Sequence, residues 1–282
     1  MASTDHGRRL TEAHRLAQQQ VRAEFLTRFL ALWPLLDSTR LDETSPGWTQ
    51  AVLNEITASR MDSARVATQY FEEFAAAEAP STPRRARIEI PDLPTSGRRS
   101  ARVSVPDIDW KPADRAARVS LNVTGPASQK SKARRGKPLQ VARDESFNES
   151  AGAASRHVFT GGRQSLLTLV ESDDQVIGWV RVTDGDPCSF CAMLASRGPV
   201  FKKGSFSESD PRFFGPGEFK VHDNCACTME PVFDRATLWP GRAAEFRRLW
   251  RTATQGYSGQ DALNAFRRAY EQQQRDAQRG VA

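Results

Sequence analysis

Leu10, Ala13, Ala17, Val21, Phe25, Phe29, Leu32 and Leu36 recur at spacings of three and four residues, which lays one apolar stripe along a helix of roughly 25 residues. Ser45 followed by Pro46 reads as a cap and a first-turn proline, and Trp48, Val52, Ile56, Val66 and Tyr70 carry a second stripe to about Ala79. Residues 1–79 are therefore expected to form a helical hairpin. Its stripes suit two helices packed on each other and on the rest of the fold; a docking face for a partner is the alternative use.

From Pro80 to Pro138 the pattern changes to Pro, Ser and Arg, broken by short alternating stretches at 86–90, 102–105 and 118–123. Each alternation suits a short strand or extended edge, while Pro91, Pro94, Pro106 and Pro112 oppose a continuous central sheet. This segment is expected to be an extended arm. A helical pattern follows from about Leu139 to Val170, with small residues at 150–155 allowing close packing, and 176–182 reads as a buried strand. After Pro231 two helical stretches appear, one with Phe246, Leu249 and Trp250, the other with Leu263, Phe266 and Tyr270, and the chain is expected to fray after Glu271. The fold class is then α+β and mainly α-helical: a hairpin (1–79), an extended basic arm (80–138), a small α+β cysteine-knuckle domain (139–233) and C-terminal helices (234–282).

Charge changes this picture in one place. The 282 residues carry a net charge of +6, but residues 83–143 alone hold 15 Lys or Arg against 5 Asp or Glu, so the rest of the chain is acidic. Lys130, Lys132, Arg134, Arg135 and Lys137 form the most basic stretch. No aromatic residue is interleaved, so these side chains suit phosphate contact and not base stacking; a solvated linker is the alternative. The longest apolar run, 29–36, is far short of the ~18 residues that span a bilayer, and the polar start has no signal-peptide core. A soluble protein with no membrane partner is expected.

All 4 cysteines lie between Cys188 and Cys227, whereas disulfides of secreted proteins tie distant parts of a chain together. Cys188-Ser-Phe-Cys191 is a C-x2-C knuckle after a strand and a turn, and His222-Asp-Asn-Cys225-Ala-Cys227 follows some thirty residues later. A tetrahedral Zn²⁺ takes four N or S ligands, and five are on offer. Cys188, Cys191, His222 and Cys225 are the expected set, with Cys227 as the spare; buried packing cysteines or a disulfide are the alternatives.

The runs Arg181-Val-Thr-Asp-Gly-Asp-Pro-Cys-Ser-Phe-Cys-Ala-Met-Leu194, Gly198-Pro-Val-Phe201, Val221-His-Asp-Asn-Cys-Ala-Cys-Thr228 and Glu230-Pro231 resemble the phage Mu F-like family of head morphogenesis proteins. Asp223 stands where that family usually has Pro, and Ala226 where it usually has Arg. The resemblance covers about residues 140–233; the helical start and basic arm are similar in general character to versions from tailed phages of actinobacteria. It implies a minor capsid protein of the virion, near the portal and in contact with the portal or major capsid protein, acting in head assembly or on packaged DNA. Some relatives carry the label capsid maturation protease, which stands as the alternative function.

A protease needs a nucleophile, a base and usually an orienting group. Only His6, His14, His157 and His222 are available as bases. Cys188 with His222 is a dyad on paper, but the same atoms serve better as zinc ligands, and a ligated thiolate is a poor nucleophile. His157 with Ser155 or Ser165 lacks a nucleophile-elbow motif. A His-Asn-His nuclease would need a histidine after His222, and there is none. An assembly protein without a catalytic site is the expectation.

Overall fold

The computed structural model describes residues 2–79, 104–201, 221–234 and 241–280. Three long helices carry the fold: α1 (Asp5–Leu32), α2 (Leu41–Glu78) and α5 (Leu139–Ser172). Thr4 caps α1 by accepting the Gly7 amide, with Asp5 adding a favourable charge in the first turn. A single 3-10 turn at Trp33–Leu35 returns the chain into α2.

The buried face of α1 is not the expected stripe along its whole length. Phe25 and Phe29 are buried as read, but in the first half the buried positions are Gly7, Thr11, His14 and Gln18, one residue out of register with Leu10, Ala13 and Ala17. The reason is a polar ladder against α2. The Thr11 hydroxyl lies 2.9 Å from that of Tyr70, His14 stacks on Tyr70, and Gln18 donates to the Ser63 carbonyl at 2.9 Å. Paired polar groups bury without penalty, so hydrophobicity alone misplaces this face.

Helix α2 begins at Leu41, not at Ser45 and Pro46. Leu41 is buried in the same cluster as Trp33, Trp48 and Val52, which draws one more turn into the helix and leaves Pro46 inside it. The missing proline amide removes one backbone bond near the helix start, where tertiary packing outweighs it.

The extended arm is overturned over much of its length. Residues 111–134 are helical: α3 (Lys111–Asn122), a π-turn at Val123–Ala127 and α4 (Ser128–Arg134). Ala117 and Leu121, one helical turn apart, are fully buried with Phe25, Phe29 and Trp48, while the intervening Val119 is exposed. Period four therefore prevails over the alternation read at 118–123. Pro112 lies in the first turn, where its missing amide costs nothing, and Pro126 falls within the π-turn, which absorbs its missing donor. The alternation at 86–90 lies outside the described residues, as does the first half of that at 102–105.

The sheet has three antiparallel strands in the order β2-β1-β3, with β1 (Gly178–Val182) central, β2 (Val200–Phe201) and β3 (Thr228–Val232). Gly178 pairs with Val232 and Val182 with Thr228. Helix α6 (Ser189–Ala195) follows β1, and α7 (Ala243–Ala253) and α8 (Gly259–Gly280) pack on it through Ala192, Ala195, Phe246, Phe266 and Tyr270. Helix α8 does not fray at Glu271. Gln272 donates to Asp276 at 2.8 Å, and Gln and Arg are good helix formers.

The chain is thus mainly helical with a small antiparallel sheet. One core cluster joins the two parts: Tyr70, Phe71 and Phe74 of α2, Leu166 and Val170 of α5, Trp179 and Met229 of the sheet, and Cys191, Cys225 and Cys227.

Candidate metal centre

Strand β1 delivers the chain through the turn at 184–187 to Cys188, which caps α6: its sulfur accepts the Cys191 amide at 3.4 Å. One helical turn places Cys191 on the buried side of Cys188, so the C-x2-C spacing aims both sulfurs at one region while leaving Cys188 exposed. The second cluster is folded by a tight turn. The Cys225 amide donates to the His222 carbonyl at 3.1 Å, with Asn224 in the left-handed region at φ 64°. Asparagine tolerates that conformation better than most residues.

His222 Nδ1 lies 2.6 Å from the Asp223 carbonyl, which assigns a ring proton to Nδ1 and turns Nε2, the nitrogen that would ligate a cation, toward the sulfurs. Nε2 is 2.9 Å from Cys188 Sγ and 3.4 Å from Cys191 Sγ, and Cys191 Sγ is 3.6 Å from Cys225 Sγ. The donors form two overlapping triads, Cys188 with Cys191 and His222, and Cys191 with Cys225 and Cys227, each within 4.8 Å. Cys191 belongs to both. Three of the four residues expected from sequence, Cys188, Cys191 and His222, share the outer triad, while Cys225 meets Cys191 in the inner one together with Cys227, which was expected as a spare.

Electrostatics follow from this crowding. A hydrogen bond from Cys191 holds the Cys188 thiol down at about 5, against the opposing effect of partial burial. The same donor, helped by Cys227 and Arg163, holds Cys225 far below the usual thiol range. The one Cys191 proton is held by the Cys188 and Cys225 sulfurs, which pushes that thiol far up. A Cys191 hydrogen bond favours the Cys227 thiolate, but the Cys225 sulfur and burial prevail and push it up to about 12. Burial disfavours charge on His222, yet the Asp223 carbonyl and the Cys188 and Cys225 sulfurs raise its pKa. The thiols thus share protons that a bound cation would displace. Soft sulfur donors plus one imidazole with its tautomer fixed suit Zn²⁺, and exposed Cys188 gives an entry route. Cys188, Cys191 and His222 would hold the ion, with one further sulfur of the inner triad, Cys225 or Cys227, closing the tetrahedron. The ion would supply cross-linking between α6 and the 222–227 turn.

One face of α5 seats that turn. Gly152, Arg156 and Arg163 are four and seven residues apart, hence nearly in line along the helix. The Asn224 amide donates to the Gly152 carbonyl, and a Cβ at Gly152 would meet the Asn224 side chain at 2.6 Å. Arg156 Nε donates to Asp223 Oδ1 at 2.7 Å. Arg163, buried, donates through Nη2 to the Cys225 carbonyl at 2.6 Å and through Nε and Nη2 to the Cys227 carbonyl at 3.1 Å. Sequence reading missed these three residues; their spacing on a helix was visible, but what they face was not. The run at 150–155 packs closely as read, with Ala154 in the helical core, but its Gly152 meets the turn; a further close helix approach is at Gly161, against the Arg60 carbonyl.

The protease candidates are placed differently from expectation. Ser155 and Ser165 are fully buried inside the helical core. His157 Nε2 instead lies 2.9 Å from Ser120 Oγ, which also accepts Arg156 Nη2 at 3.1 Å. Burial, with Arg156 and Arg60 nearby, pulls the His157 pKa down to about 4.

The basic set is on α4 and just beyond it. Lys130 pairs with Asp42, buried Lys132 with Glu149 at 2.8 Å, and Lys137 with Glu145 at 2.6 Å. Arg134 and Arg135 are exposed.

The sequence pattern of the VG15 protein family matches residues 5–253, from α1 through the end of α7. The chain belongs to the VG15 family. It is also similar to the Gene 15 protein of Mycobacterium phage D29, 31% identical over an alignment of 121 residues, with 34% of this chain and 44% of the relative covered. The similarity thus spans less than half of the curated relative. No solved structure matches the chain. The bounds of the VG15 match take in helices α1 to α7, the sheet and both cysteine clusters, so the candidate metal centre and the helices that seat it fall within one family pattern. Among the described residues, no helix is long and apolar enough to cross a membrane.

Proposed function

We propose that the chain is a minor capsid protein of a phage head, of the Mu F-like type, placed near the portal and bound to the portal or major capsid protein during head assembly. The observation that carries this reading is the position of the cysteine and histidine cluster. Its inner triad is built into the core that joins the helices to the sheet, so a zinc ion there would lock an assembly scaffold and not present an open catalytic position. The similarity to a mycobacteriophage protein supports a virion setting. In this reading zinc binding contributes folding energy, and Arg134 and Arg135, with the paired lysines behind them, offer a sequence-independent contact to DNA or the inner capsid wall.

Capsid maturation protease is the second reading, favoured by the Ser120 and His157 contact, which has the reach of a nucleophile and base. We rank it lower because His157 is 3% exposed and made a weak base by burial and two neighbouring guanidinium groups. Assembly of heads without this chain decides between them. Under the assembly reading the major capsid protein is still processed while portal incorporation falls; loss of processing, reproduced by Ser120→Ala in a folded chain, would establish the protease.

A further inference from the structure

The cysteine cluster brings up to four thiolates and one imidazole into a largely buried space. A divalent ion held by three thiolates and a histidine leaves one net negative charge, and four thiolates leave two. Such charge in a core demands an opposite charge or strong hydrogen bonds. Arg156 and Arg22 reach the side chains of Asp223 and Asn224 in this segment, whereas Arg163, buried on α5 with only 6% of its surface exposed, bonds the backbone of the cysteines themselves. Its fork reaches two carbonyls, those of Cys225 and Cys227, through three hydrogen bonds of 2.6, 3.1 and 3.1 Å. Both carbonyls belong to cysteines of the inner triad, so the contact fixes the peptide planes that follow Cys225 and Cys227 and with them the directions of both sulfurs. The guanidinium is itself immobilised, lying over the Phe159 ring at 5.3 Å.

We propose that Arg163 is the positioning residue of the metal centre, aiming Cys225 and Cys227 from α5 and supplying the counter-charge for the thiolates around a bound zinc ion. The proposal rests on the reading of the cluster as a metal centre. A lysine would keep the charge but cannot bond two carbonyls in one plane, and a methionine keeps only the bulk.

The test uses the full chain, reduced and loaded with zinc, in wild-type form and as Arg163→Lys and Arg163→Met. Zinc affinity is measured by competition with a chromophoric chelator, ligand geometry by the absorption bands of the cobalt(II)-substituted protein, and folding by circular dichroism. Arg163→Met is expected to lose on the order of 10- to 100-fold in zinc affinity and to shift the cobalt bands, as outer-sphere partners of metal ligands do. Arg163→Lys is expected to fall between it and wild type. Wild-type affinity and unchanged cobalt bands in either folded variant would overturn the proposal, and Arg163→Lys decides if the methionine variant does not fold. A folded wild-type chain that takes up neither metal would instead remove the metal-centre reading, and the proposal with it.

Discussion

The imidazole of His14 lies flat on the phenol ring of Tyr70, with ring centroids 4.3 Å apart and planes within 1°. Burial holds that imidazole neutral, with its pKa pulled from 6.5 down to about 3. His157 is held down to about 4 in the same way. In the unfolded chain both rings would protonate near pH 6.5, so below that pH the unfolded state binds more protons and stability falls. The loss starts as pH drops through 6.5 and continues until the folded-state values are reached. Each ring contributes about 1.4 kcal/mol per pH unit in that window. Urea unfolding at pH 7, 6 and 5 should show the decline, and His14→Gln should reduce its slope; an equal slope in both proteins would exclude His14 as a source. Comparing the two isolates this effect from acid release of metal, which is common to them.

Helix α3 makes a prediction that an extended arm would not. Leu121 is fully buried against Phe25 and Trp48, so Leu121→Ala should destabilise the chain by about 2–5 kcal/mol. Val119→Ala, one turn face away and exposed, should change stability by less than about 0.5 kcal/mol. Thermal or urea unfolding of the two variants measures the contrast. Equal, small effects would mean that this segment does not pack on the helical core in solution.

What the sequence made legible follows from how its signals arise. The stripes of Phe25, Phe29, Trp48, Val52 and Ile56 report helices because apolar residues one turn apart have little other use, and the two cysteine clusters report a shared site because such donors seldom converge by chance. The face of α1 at Thr11, His14 and Gln18 was misplaced because it buries paired polar groups, which carry no hydrophobic period. At Arg118 to Val123 alternating residues fit either period, and only the contact of Ala117 and Leu121 with α1 and α2 selects the helix. Gly152, Arg156 and Arg163 were invisible for a related reason: their role is defined by the 222–227 turn, some seventy residues away in sequence.

The basic segment should separate into two kinds of residue. Lys132 is buried and bonded to Glu149, Ser128 and Ser146, so Lys132→Gln should lower stability modestly by removing the buried partner of a half-exposed ion pair and its two hydroxyl contacts, with little effect on any DNA contact. Arg134→Gln and Arg135→Gln should leave stability unchanged and, if the exposed end of α4 meets phosphates, reduce the salt slope of DNA binding by about one unit each. Fluorescence anisotropy on duplex DNA over a series of salt concentrations reads the slope. An unchanged slope in the double variant would leave α4 as a purely structural element.

Metal removal tests the centre itself. Cys191 lies in both triads, so Cys191→Ser should cost the most zinc affinity of any single ligand change, and Cys188→Ser and His222→Ala should each weaken the outer triad alone. Cys225→Ser and Cys227→Ser should be closer in effect than a ligand and a spare would be, because both sulfurs adjoin Cys191. Chelation should also reach beyond the cysteine turns. Cys191, Cys225 and Cys227 pack with Phe71, Phe74 and Leu166, so loss of the ion should raise amide exchange in the facing parts of α2 and α5, while the cluster around Trp33 and Trp48 stays protected. Hydrogen exchange read by mass spectrometry, with and without chelator, checks both parts. Protection that falls only within residues 184–201 and 221–230 would show the cysteine turns to be an independent unit merely resting on the helices. Protection unchanged everywhere, with zinc absent from the starting protein, would make the cysteines packing residues of the shared core.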